Sequence, residues 1–277
     1  FHYVGYLIDC KKEVNSIKKD SQSKSKTEFK KHLKKEIKNQ VNCNIDELEY
    51  GNKQIRKVLL LLNIQTVLET QKSDMRFPFH KYKSEDWDIE HVRSQNDQND
   101  TGRIKNPDEW ANDLIDFFLG STDSSKINEF ISKTISQEIK EICRALLEYQ
   151  NEVEKNQKQE KFNTAYKKIA DYFKESDNPE NINSVSNLAL LDATTNRSYG
   201  NAFFPIKRKR IIDNDKNGIF VPICTKNLFL KYYTKKLGEV MYWNNNDAND
   251  YLVAIKNTLK EFLPSETVLT QKVTEEE

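Results

Sequence analysis

Glycine and proline are scarce in this chain: 7 glycines and 6 prolines occur among its 277 residues. Because these two residues interrupt helices and form tight turns, their scarcity favours long helical segments. It also leaves no glycine-rich loop of the kind that surrounds nucleotide phosphates. We therefore expect a mostly helical chain, and we do not expect nucleotide hydrolysis within it.

Charge and cysteine content restrict the class of protein further. Lys and Arg total 44 against 43 Asp and Glu, so only a local basic patch could indicate nucleic-acid binding. The longest apolar run, residues 58–62, is far shorter than the ~20 residues that a membrane-spanning helix needs. The four cysteines are widely separated and form no Cys-x-x-Cys pair, which argues against a zinc site or a disulfide framework. This cysteine usage predicts a cytoplasmic location.

The best-defined helix is predicted around residues 55–67. Apolar residues recur there at near-helical spacing and cover more than one face, which predicts a helix in the centre of a bundle. Pro107 stands in the first turn of another predicted helix, a position that proline favours. Helices are also predicted over residues 1–40, where the polar tract 18–26 is a loop or a frayed helix, and over residues 107–120, 127–150, 162–173 and 250–262.

Short apolar segments interrupt the helical pattern. Arg76–Tyr82 and Trp87–Val92 are rich in aromatic and β-branched residues and are bounded by polar turns, which predicts strands or extended segments. A third apolar segment, Ser186–Asp192, precedes a polar turn. The sequence therefore predicts an α+β chain in which helices dominate.

A histidine-dependent reaction has few candidate residues, because the chain contains four histidines. His91 follows Glu90 at the end of a predicted strand and precedes a polar loop. A carboxylate beside an imidazole suits metal-assisted hydrolysis, since one group can hold a cation while the other takes a proton from water. Taken alone, such a pair is a weak signal, because short motifs often occur by chance.

Two blocks of sequence together resemble a known nuclease domain. Trp87-Asp88-Ile89-Glu90-His91 is followed by Asn187-Leu188-Ala189-Leu190-Leu191 and then by the segment from Asn196 to Arg208. This pattern resembles the C-terminal ββα-metal, or HNH, nuclease domain of GmrSD-type modification-dependent restriction endonucleases. The resemblance covers about residues 55–260, although its specific residues are confined to 87–91 and 187–208. It implies a ββα-metal core and metal-dependent cleavage of DNA in restriction or phage defence.

The resemblance also implies roles for individual residues. His91 matches the general base that activates water, and Asn187 matches the residue that braces the two strands and orients that base. Glu90 matches a metal ligand, with Asp88 as the alternative, and Asn196 matches the metal ligand on the following helix. A site of carboxylate, amide and water oxygens suits Mg²⁺ or Mn²⁺ better than zinc.

Basic residues follow the presumed metal-binding turn. The run Lys207-Arg208-Lys209-Arg210 is a candidate for phosphate contacts with DNA. The alternative is an ordinary solvated helix face in a lysine-rich chain. Arg197 either reaches the cleaved phosphate or pairs with a nearby acid.

The spacing of the motif predicts the domain organisation. His91 and Asn187 are 96 positions apart (187 minus 91), so a helical insertion, which we place at residues 103–180, must separate the two strands. We expect an N-terminal helical region at 1–74, the nuclease domain at 75–264 and a disordered tail at 265–277.

The chain begins without methionine, within an apolar pattern, and we expect it to be part of a longer protein. The resemblance implies that a nucleotide-binding domain precedes it there. The alternative to a nuclease is a non-catalytic helical interaction or DNA-binding module, in which the same segments only brace the fold.

Overall fold

The computed structural model describes residues 1–70, 75–84, 86–94, 104, 106–121, 123–173, 181–193, 202–235 and 240–264. Within these ranges the chain is mostly helical and contains one two-stranded sheet. The predicted α+β class with dominant helices is therefore confirmed. The predicted disordered tail, residues 265–277, lies outside the described residues.

The elements follow one another along the chain in three groups. The first group is α1 (His2–Asp9), α2 (Val14–Ser23), α3 (Lys26–Gln40), α4 (Gln54–Glu69), α5 (Phe79–Ser84) and strand β1 (Trp87–His91). The second group is α6 (Pro107–Leu119), α7 (Ile127–Lys133), α8 (Gln137–Asn151) and α9 (Lys155–Tyr172). The third group is strand β2 (Leu188–Asp192), α10 (Phe204–Lys216), α11 (Ile223–Phe229) and α12 (Asn245–Leu259).

Local sequence explains where several helices begin and end. The Asn106 side chain accepts a hydrogen bond from the backbone N–H of Glu109, and Pro107 occupies the first turn of α6. The same helix ends at Gly120, whose φ of 67° is the left-handed conformation that favours glycine. Helix α12 begins with a reciprocal capping box between Asn244 and Asp247. The helix predicted over residues 107–120 is confirmed as α6.

Helix α4 lies at the centre of the molecule. Its residues from Val58 to Ile64 are all buried, which confirms the predicted central helix. It packs against α1, α11, α12 and β2. The N-terminal segment and the later elements thus contribute to one hydrophobic core, and α4 supports the sheet from within it.

Strands β1 and β2 form an antiparallel pair. Glu90 lies opposite Ala189 and His91 opposite Leu188 in the register. Beyond the strand ends, the backbone N–H of Val92 donates to the carbonyl of Asn187 at 2.8 Å. Helices α6 to α9 lie between the two strands in the sequence. The pairing therefore joins two segments that a long helical region separates along the chain.

The strand or extended segment predicted at Arg76–Tyr82 is wrong from Phe79 onwards, and residues 76–78 belong to no strand. Phe79–Ser84 is helix α5, in which Tyr82 is buried and stacks on Trp87 with ring centroids 5.3 Å apart. Gly5 of α1 leaves room for the Phe79 ring, because a Cβ at that position would lie 2.4 Å from a ring carbon. Aromatic packing against neighbouring elements, which the local pattern does not reveal, therefore decides the conformation.

The single helix predicted over residues 127–150 is also wrong. Residues 134–136 interrupt it, and the Ser136 side chain caps a new helix by accepting from the backbone N–H of Ile139. Ile135 in this break is 98% exposed. The two shorter helices, α7 and α8, pack against each other, which a continuous helix would prevent.

Hydropathy gives no indication of a bilayer-embedded helix. Within the described ranges, no helix combines the length and the apolar character needed to cross a membrane.

Candidate active site

Glu90 and His91 are neighbours in β1, but they contact different parts of the molecule. Successive side chains of a strand project to opposite faces of its sheet. Glu90 is buried and contacts Lys207 of α10, whereas His91 is half-buried and contacts Tyr50 and Asn183. Strand geometry therefore separates the two residues that the sequence predicts to act side by side.

Backbone pairing beside the sheet positions the neighbours of His91. The N–H of Tyr50 donates to the carbonyl of Asn183 at 2.8 Å, and the adjacent residues Glu49 and Ser184 form an antiparallel bridge. This pairing places a tyrosine ring and an asparagine amide together near the end of β1. No sequence motif predicted either residue, because both belong to short loops with no regular pattern.

The imidazole of His91 is held between these two side chains. Its ring centroid lies 4.5 Å from that of Tyr50, and its Nε2 lies 3.3 Å from Oδ1 of Asn183. The pKa of His91 is lowered to about 4, mainly by burial; the hydrogen bond with Asn183 opposes this shift, and the charge of Lys207 adds to it. His91 is therefore neutral at pH 7 and can accept a proton.

The side chain of Asn187 clamps the backbone that follows β1. Its Oδ1 accepts from the N–H of Arg93 at 2.9 Å, and its Nδ2 donates to the carbonyls of Arg93 and Ile182 at 3.0 and 2.9 Å. Asn187 is 4% exposed, so water does not compete for these bonds. The clamp fixes the chain two residues beyond His91, which is the kind of bracing contact that the nuclease resemblance implies.

We expect Asn187→Ala to lower the free energy of unfolding by about 3 kcal/mol, because it leaves buried backbone groups without partners. Urea unfolding measures this change. Asn112→Ala, at an exposed position on α6, is the matched control and should change stability by less than about 0.5 kcal/mol. Equal stabilities of the two variants would show that the clamp contributes nothing.

Glu90 is engaged in a buried ion pair. The Nζ of Lys207 lies 2.5 Å from Oε1 of Glu90 and also donates to the carbonyl of His91 at 2.7 Å. The Glu90 side chain is 10% exposed, and the Lys207 side chain is 1% exposed. Burial raises the pKa of Glu90, while the charge and hydrogen bond of Lys207 act in the opposite direction. This ion pair differs from the two predicted roles, which were a metal ligand for Glu90 and a phosphate contact for Lys207.

The other residues of the basic run also make contacts within the chain. Arg208 donates from Nε to the carbonyl of Phe229 at 3.0 Å. Lys209 and Arg210 form ion pairs with Asp116 and Asp113 of α6. These contacts distinguish the surface from the freely solvated helix face of the alternative interpretation. All three basic side chains remain partly exposed. Partly exposed ion pairs of this kind contribute little stability.

Three predicted site residues remain: Asp88, Asn196 and Arg197. Asp88 is exposed, on the same face of β1 as Glu90. Asn196 and Arg197 lie outside the described residues. Among the residues that the structure describes, no group of three or more His, Cys, Asp or Glu side chains could hold a metal ion.

Comparison with known proteins identifies no relative. No protein-family model matches the chain, and neither a curated protein nor a solved structure is detectably similar to it.

Proposed function

We propose that the chain hydrolyses phosphodiester bonds of DNA, as a metal-dependent endonuclease with a ββα-metal core. The observation that carries this proposal is the antiparallel pairing of β1 with β2. This pairing brings His91 beside the segment of Asn187, although a helical region separates them in the sequence. The nuclease resemblance implies two paired strands that combine a histidine with a bracing asparagine.

His91 is neutral at pH 7, which is the protonation state that a general base needs, although a pKa of about 4 makes it a weaker base than an ordinary imidazole. A neutral imidazole takes a proton from water while the water oxygen attacks phosphorus, and the bond from phosphorus to the leaving oxygen then breaks. The hydrogen bond with Asn183 and the contact with Tyr50 orient the imidazole, and its partial exposure leaves it accessible to a substrate. The Asn187 clamp holds the backbone on which this orientation depends.

A divalent cation, Mg²⁺ or Mn²⁺, belongs to the proposal through the nuclease resemblance. When bound, such a cation stabilises negative charge on the phosphate and on the leaving oxygen. The described residues do not fit a complete cation site, because Glu90 is paired with Lys207. Asp88 and Asn196 are the candidate ligands that remain.

The proposal extends to the partners of the chain. Arg197, Arg208, Lys209 and Arg210 are the proposed contacts to DNA, and Lys207 is left out because it is buried. We further propose that the chain is the effector part of a GmrSD-type restriction or defence protein, with a nucleotide-binding domain as its regulator in the full-length protein.

A second candidate function is a non-catalytic helical module. It is favoured by the use of charged residues within the fold: Lys207 binds Glu90, and Lys209 and Arg210 bind acids of α6. In that case the sheet and its histidine only brace the core, and no DNA cleavage accompanies them.

Cleavage of supercoiled plasmid DNA distinguishes these two functions. We expect nicked or linear DNA in the presence of Mg²⁺ or Mn²⁺, no product with excess EDTA, and recovery of cleavage when the cation is restored. Gel electrophoresis measures the products. If neither this chain nor the full-length protein cleaves DNA with any divalent cation, the nuclease proposal is wrong.

The lowered pKa of His91 predicts the acid side of the pH profile. A base works only when deprotonated, so activity falls as pH falls through its pKa, and a pKa of about 4 moves that fall to low pH. We expect cleavage at pH 5.5 to stay within about twofold of that at pH 7.5, whereas an imidazole of ordinary pKa would lose about tenfold. Initial rates in buffers of equal ionic strength measure the profile. A rate that halves near pH 6.5 would contradict this expectation.

A further inference from the structure

Positive charge is concentrated in the first part of the chain. Residues 1–43 contain 11 Lys, no Arg and 5 Asp or Glu, which gives a net charge of +6 (11 minus 5). Because the whole chain has a net charge of +1, residues 44–277 carry a net charge of −5 (1 minus 6). Such a division of charge along a chain indicates binding to nucleic acid or to an anionic membrane.

Helices α2 and α3 carry most of these lysines. Seven of their lysines are exposed, and none of the seven forms an ion pair with another described residue. These lysines, which we call the α2–α3 lysine surface, are Lys18, Lys19, Lys26, Lys30, Lys31, Lys35 and Lys38.

The acidic side chains of the same two helices are engaged elsewhere. Asp20 forms an ion pair with Lys24. Glu36 forms an ion pair with Lys12. Glu28 completes the capping box at the start of α3. Within α2 and α3, no acid therefore pairs with a lysine of the surface, and like charges four residues apart repel one another. An external polyanion would relieve this repulsion.

The orientation of α3 favours DNA over a membrane as that polyanion. Leu33 and Ile37 are buried in the core, so α3 has no apolar face available to enter a bilayer surface. Lys31, Lys35 and Lys38 lie on the opposite side of the helix and are exposed. Duplex DNA carries one negative charge per ~1.7 Å of its axis and binds lysines through charge alone.

The chain connects this surface with the proposed active site. Helix α3 ends at Gln40, and the loop that follows it leads to Tyr50, which contacts His91. In contrast, three of the four basic side chains at 207–210 are already paired with carboxylates. The α2–α3 lysine surface therefore offers uncommitted positive charge that the later basic run lacks.

We propose that the α2–α3 lysine surface binds the phosphate backbone of DNA independently of base sequence. The inference rests on the proposed nuclease function, because that function makes DNA the substrate. The lysine ammonium groups contact phosphate oxygens, and the release of counterions from the DNA supplies the affinity.

Fluorescence anisotropy of a labelled DNA duplex tests this proposal with the intact chain, in EDTA so that no metal-dependent cleavage occurs. The test variant is Lys31→Gln/Lys35→Gln, which removes two charges from the exposed side of α3. The matched control is Lys155→Gln/Lys167→Gln, which removes two exposed lysines from α9. Both variants lose the same net charge, and thermal unfolding checks that both are folded.

At about 0.1 M salt we expect the α3 variant to bind DNA about tenfold or more weakly than the α9 control. The slope of log Kd against log salt concentration should fall by about 2, and the loss should be equal for duplexes of unrelated sequence. Equal affinities of the two variants, or no DNA binding by the unaltered chain, would overturn the proposal. Binding to phosphatidylserine vesicles without binding to DNA would assign the surface to a membrane instead.

The same experiment separates this surface from the nuclease chemistry. If the α3 variant loses DNA binding as expected, but the unaltered chain and the full-length protein cleave no plasmid, the binding surface stands and the nuclease function is wrong. If the unaltered chain cleaves plasmid and the α3 variant binds DNA as tightly as the control, the nuclease function stands and the surface is wrong.

Discussion

Replacing His91 by alanine is expected to reduce DNA cleavage by about 10²–10⁴-fold, because a positioned general base contributes a factor of this size. The loss should appear in the rate of the chemical step, whereas DNA binding should change little. His91 is half-buried and contacts Tyr50 and Asn183 at the edge of the core, so the fold should also persist. The residue therefore allows catalysis to be separated from stability.

Plasmid cleavage with Mg²⁺ measures this effect, with His80→Ala as the matched control. His80 is an exposed histidine on α5, so its replacement removes an imidazole without touching the proposed site. We expect the control to cleave at the normal rate. Cleavage by His91→Ala within threefold of the normal rate would remove His91 from the mechanism, provided that thermal unfolding shows both variants to be folded.

Replacing Lys207 by methionine is expected to lower the free energy of unfolding by about 3–5 kcal/mol. This change leaves the buried carboxylate of Glu90 without its partner and leaves the carbonyl of His91 without a donor. Lys209→Met is the control, because its ion pair with Asp116 is partly exposed and contributes only about 0–1 kcal/mol. Urea unfolding of both variants measures the difference. Similar losses of stability would show that burial of the Glu90–Lys207 pair has no special importance.

The double variant Glu90→Leu/Lys207→Met separates a structural role of Glu90 from metal binding. Removing both charges should recover most of the stability that Lys207→Met loses, because no unpaired buried charge remains. If Glu90 serves only as the partner of Lys207, this variant should cleave DNA at a rate near the normal one. Recovered stability without cleavage would instead show that Glu90 or Lys207 serves cleavage beyond their ion pair, since Lys207 also donates to the carbonyl of His91.

Sequence reasoning was most successful where a regular apolar pattern decides the structure. The crowded apolar residues between Ile55 and Val67 correctly predict the buried central helix α4. The segment Trp87–His91 correctly predicts a strand. Predictions failed where tertiary packing overrides local preference, as at α5, where Tyr82 stacks on Trp87 in a helix. They also failed at residues 134–136, where the chain turns between two helices.

The site was harder to predict because its contacts join distant parts of the chain. Lys207 belongs to a run of four basic residues, and nothing local shows that it is buried, because its partner Glu90 lies 117 positions away. Tyr50 and Asn183 reach His91 only through pairing of two irregular loops. The Asn187 clamp likewise joins Arg93 to Ile182, which lie far apart in the sequence.

Binding of a cation beside His91 can be measured directly by NMR of the four histidine rings during titration with paramagnetic Mn²⁺. The signal of His91 is identified by its absence in His91→Ala. We expect it to broaden at lower Mn²⁺ concentrations than the signals of His2, His32 and His80, and we expect excess Mg²⁺ to reverse the effect. If the four signals broaden together, or if that of His91 stays sharp, no cation binds at the proposed active site.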